Sequence, residues 1–399
     1  MIKNWKTWTL ALATIGLLAS CSEEEKTNNI DVPTSYSFTR EGVSTVSFGG
    51  QSTRIAMAEE IVAAMKDNTL TAESIQSMFA HVEGADDFSD PDLNASDKSV
   101  KSKTAASIDF YANDAVAKAA FQSLMDGYIS SQVEEVYPNW ETLAAAGTSG
   151  YIFDGTTARY VNGDGLEYNQ MFAKSLIGAL MADQIINNYL SPAKLDAGTN
   201  VSDNDAGTVI EGKSYTTMEH YWDEGYGYLF GASQDAANPL ATLGDDSFLN
   251  KYLASVDGDS DFAGIADDVF EAFILGRAAI VAGEYDIRDE QAEILREKIS
   301  LVIAVRAVHY LQGGKAALEA QSMGAAFHEL SEGLGFINSL QFTRKPGTDA
   351  PYFEASKVED WITQLLEGNG FWEVSTETLD SISEEIAAEF GFTVSQAAN

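Results

Sequence analysis

The segment Gly165–Leu190 reads GLEYNQMFAKSLIGALMADQIINNYL. Phe172, Leu176, Ile177 and Leu180 recur at helical spacing, no proline interrupts them, and Pro192 follows just beyond. That pattern predicts a long helix stopped near Leu190. Glu167, Gln170, Lys174 and Gly178 share its other face. A Glu–Lys stripe either meets water or faces a polar interior. On the second reading Glu167 and Lys174 support a site.

The same periodicity runs outward in both directions. It predicts helices over 53–66, 70–81, 105–136, 214–230, 262–282, 289–312, 314–341, 354–366 and 376–390. Thr71 reads as opening a Thr-x-x-Ser turn rather than a capping box. Residues 34–50 alternate and read as a short hairpin or two extended segments. Residues 150–163 fit a second hairpin around Asp154-Gly155. The polar, Gly- and Pro-bearing stretches 82–103 and 191–213 read as loops. No fixed-period repeat is present. Helices joined by short loops must bury apolar stripes against one another, so the expected fold is all-α. It is a helical bundle with one or two small β-hairpins.

Of 399 residues 45% are hydrophobic, ample for a large core. Asp plus Glu number 61 against 24 Lys plus Arg, a net charge of -37. Such a chain repels phosphate backbones, so no nucleic-acid partner is expected. Cations or basic partners suit it better. The single cysteine, Cys21, rules out an intramolecular disulfide and a Cys-based zinc site.

Residues 1–20 read as an export signal: Lys3 and Lys6, then an apolar run from Trp8 to Leu18. Leu18-Ala19-Ser20-Cys21 resembles the bacterial lipobox, which implies acylation of Cys21 and anchoring to a membrane. Ser22 is not the aspartate associated with inner-membrane retention, so an outer-membrane lipoprotein is expected, facing the periplasm or the cell surface. Residues 21–33, with Glu23-Glu24-Glu25, read as a flexible tether. Residues 34–399 form the helical domain.

Two of the four histidines stand among carboxylates. One lies in Thr217-Met218-Glu219-His220-Tyr221-Trp222-Asp223-Glu224, the other in His328-Glu329-Leu330-Ser331-Glu332. On a helix wheel of ~100° per residue, Asp223 and Glu219 border the apolar face, and Glu332 lies about 40° from His328. Gly324, Ser331 and Gly335 flank His328 and make a groove that a partner helix could enter closely. Imidazole plus carboxylate suits a divalent cation, an acid/base pair or a buried hydrogen bond. Glu332 stands where the His-Glu-x-x-His zinc-peptidase pattern needs its second histidine. Arg277 and Arg306 lie on apolar segments and need carboxylates if buried. His81, near Glu83, Asp86 and Asp87, reads as solvent-facing.

These motifs, with Asn94, Lys101-x-Lys103-Thr104 and Gly165-Leu166-Glu167, resemble the Bacteroidetes-type lipoprotein family of domain of unknown function 4856, over about residues 34–395. That family looks imelysin-like. The resemblance implies two related helical bundles, an outer-membrane or periplasmic setting and a link to iron uptake. The imelysin signature Gly-x-His-x-x-Glu maps onto His220 and Asp223, with Met218 at its glycine and aspartate replacing its glutamate. After His328 the third residue is Ser331, and Glu332 comes one later.

The expected function is binding of a ligand or divalent metal, iron or zinc. The expected site is one polar pocket formed by Glu219, His220, Asp223, His328 and Glu332, supported by Glu167, Lys174 and Arg277. The expected partners are the membrane, a metal ion or outer-membrane uptake proteins. The alternatives are a metal-dependent peptidase-like hydrolase with a carboxylate base, and a structural or adhesive surface protein.

Overall fold

Helix ends are set by local side chains. The Thr217–Phe230 helix opens with a closed capping box: the Glu219 N–H donates to the Thr216 hydroxyl, and the Thr216 N–H to the Glu219 carboxylate. Ala72–Ala80 opens the same way, with Ser74 in place of the usual Glu or Gln. The Thr71 turn expected from sequence is therefore a capping box. The structure, a computed structural model, describes residues 30–398. The signal segment 1–20, Cys21 and the tether up to residue 29 lie outside the described residues.

The fold is all-α with two small antiparallel hairpins. Thr39–Arg40 pairs with Val43–Ser44 through a turn at Glu41 and Gly42, whose φ angles of 53° and 79° suit a tight hairpin. Gly150–Asp154 pairs with Thr157–Val161 around Gly155, as the sequence indicates. From Val32 onward the chain forms one compact unit. Its centre is the Tyr285–Glu319 helix, packed on Met323–Ser339, Ile265–Ala282 and Thr376–Phe390. Met323–Ser339 packs in turn on Tyr168–Leu176. Among the described residues no helix is long and apolar enough to cross a membrane.

Several boundaries differ from expectation. The expected break at Gly313-Gly314 is absent, because both glycines lie inside Tyr285–Glu319. A Cβ on Gly314 would sit 2.4 Å from Leu330 Cδ2, so glycine there serves close helix approach. The chain reverses instead at Gln321, with φ of 57°. The expected helix over 105–136 is split, because Asp114 caps a new start at Ala115. The loops 82–103 and 191–213 contain short helices, Pro91–Asn94, Val100–Lys103, Pro192–Leu195 and Asn200–Asp205.

The Tyr168–Leu176 helix continues through π-helical turns at Ile177–Ala182 and Ile185–Tyr189. The cause of the first is visible. The Ser339 hydroxyl accepts the Gly178 N–H at 2.9 Å and donates to the Lys174 carbonyl at 2.7 Å. It thus occupies the rung those two groups would otherwise share, and the ladder widens around it.

Candidate functional site

The first cluster is assembled by Thr217–Phe230, Ile265–Ala282 and the segment from Tyr36 to Ser47. Helical spacing carries Glu219 and Asp223 onto the buried face, where they are 1% and 0% exposed. Arg277, also fully buried, donates to Asp223 at 2.9 Å, to Glu219 at 3.2 Å and to the Thr45 hydroxyl at 3.0 Å. Arg40 adds two bonds to Glu219, at 2.9 and 3.0 Å. The Tyr36 hydroxyl and the Ser47 N–H donate to Asp223 at 2.8 and 3.1 Å. Burial pushes the Asp223 carboxyl up to about 6, against the pull of Arg277 and Tyr36. Burial also acts to raise Glu219, but the guanidinium of Arg277 and the Arg40 bond outweigh it, and Glu219 is lowered.

His220 turns away from this pair. Its Nδ1 donates to the Ser47 carbonyl at 3.1 Å, its ring stacks on Tyr215 at 4.7 Å, and Glu224 lies 3.9 Å from Nε2.

The second cluster lies where Met323–Ser339 meets Tyr168–Leu176 and the second hairpin. The small-residue groove flanking His328 is filled as its spacing suggests. A Cβ on Gly335 would fall 2.5 Å from Lys174 Cβ, and one on Gly324 would fall 2.1 Å from the Phe153 carbonyl. Ser331 accepts the Glu167 N–H at 2.9 Å and donates to the Phe327 carbonyl at 2.6 Å. That close approach sets Glu167 and Lys174 beside His328 and Glu332.

The result is a run of alternating charge. Arg159 lies 3.9 Å from Glu167; His328 Nδ1 donates to Glu167 Oε2 at 3.0 Å; His328 Nε2 lies 3.7 Å from Glu332; and Lys174 lies 3.3 Å from Glu332. Burial acts to lower the His328 pKa, but the Glu167 hydrogen bond and the charges of Glu167 and Glu332 outweigh it and raise it. Burial likewise acts to raise Glu332, and Lys174 and His328 reverse it, so Glu332 is lowered. Lys174 is lowered, chiefly by burial. The His328 side chain keeps 18% exposure. Glu167 Oε1 is buried and has no hydrogen-bond partner among the described residues.

The expected site residues thus fall into two sets of contacts. Among the described residues no hydrogen bond or ion pair joins Glu219, His220 and Asp223 to His328 and Glu332. The physical reason is that each acidic face meets its own cation on a different helix, Arg277 in one case and Lys174 in the other. Nor do the donors fit a resident divalent ion. Among the described residues no three His, Cys, Asp or Glu side chains are grouped to hold one. The carboxylates of Glu219 and Asp223 are occupied by arginines, and both ring nitrogens of His328 face carboxylates. Arg277 itself binds both carboxylates directly.

Arg40, Tyr36 and Arg159 were not anticipated. They sit far along the chain from their partners, and nothing local marks them. The capping role of Glu219 was marked, by Thr216-x-x-Glu219. His81 is buried rather than solvent-facing, bonded through Nδ1 to Asp87 at 2.7 Å.

A family model described as "Domain of unknown function (DUF4856)" matches residues 33–393. No curated protein and no solved structure matches the chain.

Proposed function

The chain belongs to the family of domain of unknown function 4856, and from that premise we propose an exported, lipid-anchored helical protein that binds a ligand at the His328 cluster. In this reading it is a Bacteroidetes-type lipoprotein of the outer membrane, its bundle related to the imelysins, its anchor the acylated Cys21. One observation carries the binding assignment: the buried Glu167 Oε1, which accepts no hydrogen bond and has only Arg159 at 3.9 Å, beside a part-exposed imidazole. A buried carboxylate oxygen without a donor is costly, and a ligand bringing an N–H or O–H would relieve that cost.

Hydrolysis is less well supported, because a general base needs a ring nitrogen facing its substrate. Both nitrogens of His328 face carboxylates. Metal binding is left out of the proposal, since the donors do not fit. The fully saturated Arg277 cluster supports a second role for the first motif, which is structural: it fastens residues 36–47 to the bundle.

Native mass spectrometry of protein purified from its own cell envelope tests the binding reading. The expected result is a small-molecule adduct that Glu167→Gln loses. An adduct-free wild-type spectrum sinks it. For the anchor, detergent-phase partitioning of the full chain should be lost in Cys21→Ser; equal partitioning of both proteins overturns it.

A further inference from the structure

Arg306 is the exception among the chain's eight arginines. Arg40, Arg159, Arg277, Arg288, Arg296 and Arg344 each pair with a carboxylate. Arg54 donates to the carbonyls of Ser99 and Gly50. Arg306 has no ion pair or hydrogen bond among the described residues, and its Nε is buried without a partner. Carboxylates are not scarce in a chain that holds 61 of them. Sequence asks for a carboxylate there only if Arg306 is buried, and it is half-buried.

Aromatic rings hold it instead. Its guanidinium lies 4.6 Å from the Tyr310 ring centroid and 5.4 Å from that of Tyr252. Such stacking positions a guanidinium while leaving its N–H edge available. Two more cations stand on the same Tyr252 ring: Lys174 at 5.2 Å and Lys251 at 5.5 Å. Lys174 is balanced by Glu332. Lys251 is exposed and, among the described residues, makes no ion pair. Arg306 and Lys251 thus approach one buried ring with no ion pair among the described residues, the charge of Glu329 being within reach of Arg306. An anion held against both would be attracted by each.

We propose that Arg306 and Lys251 form a seat for a small ligand headed by an oxyanion, a carboxylate or a phosphate. The planar fork of Arg306 takes two oxygens of the head group, and the Lys251 ammonium adds a point charge. The seat does not use Glu167, although Lys174 joins the Tyr252 ring to the His328 cluster through Glu332, so each reading is tested by its own variants.

Isothermal titration of the full chain with sodium phosphate and with sodium acetate, at constant ionic strength set by chloride, tests it. Saturable binding of either anion is expected, and which one binds identifies the head group. Arg306→Gln should abolish binding. Arg306→Lys, which keeps the charge but not the fork, should weaken it by roughly tenfold. Lys251→Gln should weaken it less. Circular dichroism confirms that each variant is folded. No saturable binding by the wild type, or equal binding by folded Arg306→Gln, overturns the proposal.

Discussion

The clusters at Arg277 and at His328 use the same chemistry to opposite ends. Each sets two carboxylates against a buried cation at a helix crossing. At Arg277 every carboxylate oxygen has a donor and both carboxylates are buried. At His328 the imidazole keeps some exposure and Glu167 Oε1 lacks a donor. A closed set of partners can only hold the fold together. An open one still has an interaction to make, so the proposed binding role rests on His328 rather than His220.

The sharpest way to break the comparison is Arg277→Met. It strands two buried carboxylates, and urea denaturation should register a loss of about 3–5 kcal/mol. Next comes Gly335→Ala, whose Cβ has no room beside Lys174. It should cost about 1–3 kcal/mol by overpacking and separate Glu167 and Lys174 from the His328 helix.

A pH series separates the two clusters more finely. The His328 pKa is raised above the ordinary value of 6.5. Its contribution to stability is therefore full below that value and is lost as pH rises through the raised one. The wild-type melting temperature should fall more steeply than that of His328→Gln as pH climbs from about 6.5 toward 9. Parallel curves would remove His328 as the titrating group. Smallest is Thr71→Ala, outside both clusters, which opens a capping box and should cost about 1 kcal/mol. A larger loss would mean that cap strength rivals the Arg277 cluster.

Helix content was legible because apolar spacing and end signals agree. The Thr376–Phe390 helix falls where expected, between the Ser375 cap and Gly391. Glycine misled where its role is tertiary: Gly313-Gly314 looks like a break until Leu330 and Glu329 are seen against it. The groove beside His328 was legible for the converse reason, since three small residues on one helix face leave room for a neighbour. Its occupants on the Tyr168–Leu176 side, Glu167 and Lys174, could be nominated from their own stripe. The separation of the two histidine clusters was not legible. It depends on which helix each acidic face meets, and side-chain periodicity does not encode that choice.

The short segment from Tyr36 to Ser47 has a mechanical consequence. Tyr36, Thr45 and Ser47 all bond to the same Asp223–Arg277 pair, and the Tyr36 ring lies flat on Tyr226 at 3.5 Å. Force entering from the N-terminal end of the described chain reaches these fastenings before it reaches the helices. Because all three hold one pair, a change that removes that pair releases every one of these fastenings together.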